Sequence, residues 1–345
     1  SRRDFTVNAM AWSPTRGLKD PFGGAQDLKA GVLRTVGTAA DRFREDALRI
    51  LRGVRFAARF RLQPEQQTYD AMLQLAPLMD SLARERVYSE LCKLLLWATD
   101  RDLLHYAPMI TQVIPELAPA LGFDQRSRYH AFDLYTHMAH VTASVPRELT
   151  LRWAALLHDV GKARTRRYDP SVGWTFHGHE VVGGRMVPKI FASLKLPQNE
   201  KMDYVKKLVE LHLRPIALVT EEVTDSAVRR LLFEAGDDID DLMILCHGDI
   251  TSKNLRKVER LHANFELVQR KLVEVEEKDA IRNFKNPIDG DYIMKLFGIE
   301  PCRTIGELKE YVKEAILNGD IPNEFEAADA LMRGRAAELG LVPRE

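Results

Sequence analysis

The stretch LRWAALLHDVGKA places His158 and Asp159 side by side at the end of an apolar helical segment. An imidazole beside a carboxylate suits a divalent first-row cation or magnesium, and such a site with open positions activates water against a phosphoester. His137, in DLYTHMAHV, stands one helix and one loop earlier, close enough for both imidazoles to reach a common point. Asp249, in CHGDITSKN, arrives on a later helix. A lone His-Asp pair also fits a core histidine with a satisfied hydrogen bond; His137 and Asp249 are what favour the metal. Lys162, just past HDVG, reads either as a phosphate contact or as a solvated lysine favoured by a helix dipole. His130, His140, His177 and His247 have no spacing pattern of their own and are read as structural or surface residues.

A second group lies nearer the start. Arg49, Arg52, Arg55 and Arg59 recur at helical spacing, which predicts one cationic stripe beside an apolar face made by Leu48, Leu51, Val54 and Ala58. Asp46 precedes Arg49 by one turn. Such a stripe holds phosphates by charge, and an acceptor next to a donor suits the Watson–Crick edge of a base. The competing reading is a solvated basic face in which Glu45 and Asp46 pair along the helix.

The elements that would carry these groups are mostly helical. Residues 1 to 37 read as a strand or two around the turn of GLKDPFGG, with VLRTVG extended. From Asp41 the pattern becomes helical and stays so: ARERVYSELCKLLLWA and LLHYAPMITQVIPELAPAL are helices broken at prolines, and a helical block runs from about Phe132 to Asn254. A charged helix follows, ended near KNPIDGDY, and then a short helix, a turn and a longer helix through NGDIP. The expected fold class is mainly α. It has four segments: 1–40, a small α+β remnant; 41–125, a helical neck; 126–255, the histidine-bearing block; and 256–345, a helical tail.

Composition sets the class. Apolar residues make up 45% and charged residues 29%, ordinary for a soluble globular chain. Neither a membrane-length apolar run nor a signal-peptide pattern occurs, so the expected place is the cytoplasm. Cys92, Cys246 and Cys302 lie far apart, which argues against a thiolate zinc site or a disulfide framework. Lys plus Arg and Asp plus Glu are 50 each, so a polyanionic partner has to be held by local basic faces.

RRDFTVNAMA, then DPFGGAQDLKAGVLRTVG, then RFREDALRILRGVRFA, in that order, resemble the class II tRNA nucleotidyltransferases, the CCA-adding enzymes and their poly(A) polymerase relatives. ARERVYSELCKLL resembles the next motif, in which Arg86 and Glu90 would brace the nucleotide-reading helix. The resemblance implies a nucleotidyltransferase head remnant, a neck, an HD domain and a tRNA-binding tail. It implies addition of C, C and A to the 3′ end of tRNA from CTP and ATP with Mg²⁺. Arg3 would contact the incoming nucleotide, Asp4 its ribose, Asp46 and Arg49 the base, with Arg52 and Arg55 beside them. Asp20, Gly23 and Gly24 fall at the hinge motif. The family's phosphate loop and DxD carboxylates precede RRD, so a chain starting inside this motif is expected to be a truncated piece of a longer enzyme, with no residue here catalytic for transfer.

LLHDVGK, FHGHEVVGG and DITSKN resemble the HD-domain phosphohydrolases that accompany many CCA-adding enzymes. This implies Ni²⁺, Co²⁺, Mn²⁺ or Mg²⁺ on His137, His158, Asp159 and Asp249, with His179 and His212 where two-metal members supply extra ligands. The alternatives are a phosphohydrolase acting on 2′,3′-cyclic phosphates or 2′-nucleotides, a poly(A) polymerase, and a bare RNA-binding piece. In the tail, Lys253, Arg256, Lys257 and Arg260 are candidate tRNA contacts, and Pro301-Cys302 replaces the family's Pro-Gly turn.

Overall fold

The computed structural model describes residues 3–125, 132–171, 173–220, 224–251, 255–279, 281–282 and 284–344. His130 and Lys253, named above, lie outside the described residues, as do the first arginine of RRDFTVNAMA, Arg2, and the side chain of Lys257. The fold is mainly α, with three two-stranded sheets among the described residues. The chain forms two compact units, one of Ser1–His212 with Gly248–Asn254, the other of Leu213–His247 with Leu255–Glu345.

The first unit opens with an antiparallel hairpin, β1 (Ala11–Ser13) and β2 (Gly17–Lys19). Asp20 then accepts the N–H groups of Gly24 and Ala25, both at 2.8 Å, and so starts α1 (Gly24–Ala30). Gly24 is required there, because a Cβ would stand 2.1 Å from the Thr6 carbonyl oxygen. β3 (Val32–Leu33) is shorter than the strand expected of VLRTVG. It continues only as an isolated bridge between Phe5 and Thr35, since Gly37, at φ 77°, turns the chain away.

Helix α2 (Ala39–Glu45) and helix α3 (Leu48–Phe60) replace the single helix expected from Asp41. The break is at Asp46, which is extended (φ −155°, ψ 102°) and whose Oδ1 accepts the Leu48 N–H at 3.1 Å. A short acceptor side chain that satisfies a free N–H at a helix start competes with helix continuation. β4 (Gln63–Pro64) pairs in parallel with β3, and α4 (Gln66–Leu75) packs on α2. The buried face of α3, Ile50, Leu51, Val54, Ala57 and Ala58, lies against α5 (Arg84–Leu95). α6 (Asp100–His105), opened by a reciprocal Thr99–Asp102 cap, and α7 (Ala107–Val113) follow.

α8 (Leu134–Ser144) and α9 (Leu149–Leu157) begin on side-chain caps from Asp133 and Glu148. The one charged residue within α9, Arg152, is buried and donates to the carbonyls of Leu95, at the end of α5, and Ala98, just past it. A short α10 (Lys162–Thr165) leads into a second hairpin, β5 (Arg167–Asp169) and β6 (Gly173–Thr175), within a block expected to be helical throughout. Pro170 cannot continue a helix, Asp169 accepts the Ser171 N–H at 2.7 Å, and Gly173 sits at φ 89°, so the sequence there encodes a turn. α11 (His179–Ser193) and α12 (Glu200–Leu211) pack on each other, and α12 packs on α9.

The second unit contains α13 (Leu213–Thr220), α14 (Asp225–Ala235), most of α15 (Ile239–Asp249), α16 (Leu255–Asp279), α17 (Gly290–Phe297) and α18 (Arg303–Asn318). It ends with α19 (Phe325–Glu338), which the sequence pattern does not announce. α16 packs on α13 and α14, and α18 on α14 and α19. Arg256 and Arg260 are exposed on α16. Cys302 is extended at φ −149°, a conformation open to any residue, so the missing glycine leaves the turn before α18 unstrained. Among the described residues no helix is long and apolar enough to cross a membrane.

Candidate functional site

Two groups of side chains in the first unit carry chemistry. At the neck, the segment with Arg3 and Asp4 meets α3. Asp4 is buried, and its Oδ2 accepts from Arg52 Nε at 2.5 Å while its Oδ1 accepts from Asn8 Nδ2 at 2.6 Å. Burial pushes the Asp4 carboxyl up, but the Arg52 and Asn8 hydrogen bonds outweigh it and hold the group below its ordinary value. Arg3 is exposed.

Asp46 and Arg49 are each held by another partner. Arg86 Nη2 donates to Asp46 Oδ2 at 2.7 Å, and Arg49 Nη1 donates to Glu45 Oε2 at 2.6 Å. Each Asp46 oxygen thus spends one acceptor site and keeps another. The four arginines do not form one stripe. Arg55 is buried and donates to buried Glu90 at 2.5 Å, while Arg59 lies over the Phe60 and Trp97 rings. The residue four places from Arg55 is solvent-facing, but Arg55 itself falls on the side α3 presents to α5. Helical spacing alone does not reveal that α5 supplies a carboxylate there.

The second group is the histidine cluster. His137 on α8, His158 and Asp159 just past α9, and Asp249 at the end of α15 bring their ligand atoms within 4.8 Å of one another. His137 Nε2 lies 2.8 Å from Asp249 Oδ1 and 3.4 Å from Asp159 Oδ2; His158 Nε2 lies 3.3 Å from Asp159 Oδ2 and 3.5 Å from Asp249 Oδ1. Asp159 extends to a second set. Its Oδ1 is 3.2 Å from His179 Nε2, at the start of α11, and 3.6 Å from His212 Nε2, just past α12. All six sequence-designated ligands therefore meet, around one shared carboxylate.

The tautomers are set from outside. Nδ1 of His158, His179 and His212 faces the carbonyl three residues earlier, on Ala155, Phe176 and Val209, at 2.7, 2.8 and 2.6 Å. A carbonyl only accepts, so each Nδ1 carries the proton and each Nε2 lone pair points at the carboxylates. His137 Nδ1 instead meets Thr251 Oγ1 at 3.1 Å. Lone pairs crowded toward buried anions repel unless a cation or proton lies among them. Buried Asp159 Oδ1 and His179 Nε2 make no hydrogen bond, and this donor set fits one or two divalent first-row cations. Without a cation the cluster gathers protons: burial would push His158 down, but the Asp159 and Asp249 carboxylates push it up to about 10. Both carboxyls are held well below their ordinary value despite burial, Asp159 chiefly by the charges of Lys162 and His158.

Lys162 is not the solvated lysine of the simpler reading. It is buried, with Nζ 2.7 Å from Asp159 Oδ2, off the hydrogen-bonding direction, and 3.4 Å from Oε1 of buried Gln125. Gln125 and Thr251 carried no sequence signal; the position of each follows from which loops close over the cluster. The orienting carbonyls were legible only as the habit of a histidine at a helix end facing the carbonyl three residues back.

Family models match in series: residues 1–34 the poly A polymerase head domain, 61–121 the probable RNA and SrmB-binding site of polymerase A, and 129–242 the HD domain. An A-adding tRNA nucleotidyltransferase of Deinococcus radiodurans is 33% identical over 96% of the chain and 78% of its own length. A CCA-adding enzyme of Streptococcus pneumoniae is 30% identical over 96% of the chain and 71% of its own length. A multifunctional CCA protein of Neisseria meningitidis is 38% identical over 57% of the chain, which spans about half (48%) of that relative. Among solved structures, the Bacillus stearothermophilus CCA-adding enzyme in complex with CTP superposes with a TM-score of 0.62 at 24% identity, covering 98% of this chain and 74% of that one.

Proposed function

The chain belongs to the tRNA nucleotidyltransferase (CCA-adding enzyme) family and contains an HD domain, and from that premise we propose that it serves nucleotidyl transfer to the 3′ end of tRNA with CTP and ATP. The observation that carries this reading is the Asp4–Arg52 contact, which ties the opening triplet to α3 one turn from Arg49. Cytosine and adenine each present an amino donor beside a ring-nitrogen acceptor. An aspartate acceptor and an arginine donor, here Asp46 and Arg49, match both and mismatch guanine and uracil. Arg3 and Arg52 supply positive charge toward the triphosphate, and the paired Arg55–Glu90 and Arg86–Asp46 contacts hold the reader in place. Mg²⁺ is the proposed ion for transfer. Among the described residues the only groups competent for a metal are those of the histidine cluster, so no residue here is assigned to it. The test is equilibrium binding of the four nucleotides: CTP and ATP bind more tightly than GTP and UTP, and Asp46→Ala removes the preference. Equal binding of all four refutes the assignment.

The convergence of imidazole Nε2 atoms on Asp159 and Asp249 supports a second activity, that of a metal-dependent phosphohydrolase on 2′,3′-cyclic phosphates or 2′-nucleotides. His137, His158, Asp159 and Asp249 would hold one cation, and Asp159, His179 and His212 a second, with Ni²⁺, Co²⁺, Mn²⁺ and Mg²⁺ as candidates. When bound, the cation lowers the pKa of water and neutralises phosphate charge. In the reaction water adds to phosphorus, one ring P–O bond breaks, and the departing ribose oxygen takes a proton, leaving a monophosphate. Lys162 would face the phosphate as a fixed positive charge. His158→Ala should abolish hydrolysis and lower metal content measured by mass spectrometry; unchanged turnover in the variant refutes the assignment.

A further inference from the structure

The segment that brings His179 to the cluster begins as the strand β6, and its contacts run outward without a gap. Lys162 Nζ, beside Asp159, lies 6.0 Å from the centre of the Phe176 ring. The Phe176 ring stands 6.0 Å from that of Phe123. Phe123 and Trp174 both receive the Arg166 guanidinium, at 4.8 and 3.9 Å from their ring centres. Arg166 Nε is buried without a hydrogen-bond partner, and no carboxylate pairs with this arginine among the described residues. The fully buried arginines differ from this half-buried one: Arg55 has Glu90, Arg229 has Asp279, and Arg152 has three carbonyls. A guanidinium held against two rings presents its in-plane N–H donors, and their fork matches a phosphate.

We propose that Arg166, steadied by Trp174 and Phe123, binds a second phosphate of the substrate whose first phosphate lies at the histidine cluster. The site then takes a nucleotide bearing at least two phosphates in preference to a mononucleotide with one. This inference rests on the phosphohydrolase reading. The two-ring clamp removes most of the rotamer freedom an arginine loses on binding, so the second contact adds affinity with little ordering cost.

The test uses the full chain with a divalent cation bound and follows Trp174 fluorescence against a Trp174→Phe control; its probes carry neither the cyclic nor the 2′-phosphate bond assigned to cleavage. The probes are adenosine 3′-monophosphate, adenosine 3′,5′-bisphosphate and the dinucleotide ApAp. The bisphosphate and the dinucleotide are expected to bind roughly tenfold more tightly than the monophosphate. Arg166→Met, which keeps the bulk against the rings, removes that gain. A gain with the bisphosphate alone identifies a mononucleoside bisphosphate as the substrate; a gain with ApAp identifies an oligonucleotide end. Equal affinities in the native chain, a gain that survives Arg166→Met, or no quenching by any probe overturns the proposal. With cyclic phosphates as substrates, the KM ratio for the mononucleotide and the dinucleotide should collapse toward one in Arg166→Met. An Arg166-dependent gain with no turnover of any cyclic phosphate retains the subsite and ends the phosphohydrolase reading. Turnover without that gain does the reverse.

Discussion

Removing Glu90 tests how α3, the proposed nucleotide-reading helix, is held. Arg55 and Glu90 are both buried, and their contact joins α3 to α5 at 2.5 Å. Glu90→Ala leaves the guanidinium with the Phe56 ring, 4.4 Å from its centre, and no carboxylate. Lys93, 3.4 Å from the other Glu90 oxygen, is half exposed and finds water when that oxygen goes. The loss is therefore that of one uncompensated buried charge, about 3–5 kcal/mol. Urea unfolding followed by tryptophan emission reads the right part of the molecule, because Trp12, Trp97, Trp153 and Trp174 all fall in the first unit. Replacing both partners by apolar residues of similar volume, Arg55→Met with Glu90→Leu, should recover most of the stability, since no charge then remains buried. CTP binding should still fall in the double variant, because the brace on α3 is gone. A loss under about 1 kcal/mol in Glu90→Ala, or a double variant as unstable as the single, would refute the reasoning.

Three further outcomes follow from the same geometry. Gly161→Ala should cost about 1–3 kcal/mol or more and empty the metal site, because its Cβ would stand 2.1 Å from the His179 carbonyl oxygen and 2.7 Å from the Gly183 nitrogen, both backbone atoms that cannot move aside; metal titration with thermal melting checks it. Cation binding should release protons, since His158 is pushed up to about 10 and is charged near neutrality; apparent affinity then rises about tenfold per pH unit per proton between about pH 6 and 8, and calorimetry in two buffers that shows no release contradicts this. The Asp4 carboxyl is held below 3.8, so its contribution is present above that value and lost as pH falls through the lower folded one. Asp4→Asn should cost roughly 1–2 kcal/mol at pH 7 and flatten the acid side of the stability profile, measured by urea midpoints.

Of the six cluster residues, His137, His158, Asp159 and Asp249 stood out because a cation site demands a narrow set of side chains, whereas His179 and His212 were expected only from the resemblance to two-metal HD proteins. The helical class was legible for the same local reason: apolar residues recur at the helix period across α3, α5 and α9. The break at Asp46 was harder to see, since the same Asp that fits a helix surface also fits a start position, and only the free Leu48 N–H decides between them. The hairpin of β5 and β6 hid inside a helical block because three-residue strands carry too little periodicity, although Pro170 and Gly173 marked the turn.

Sequence by itself determined which side chains are candidates for a cation or a base, because the donor and acceptor groups of each residue type are set by its covalent structure. Only the tertiary structure decided their company. It buried Arg55 against Glu90, shared Asp159 between two histidine sets, and set Arg166 between two rings, because partners far apart in the chain become neighbours only through packing.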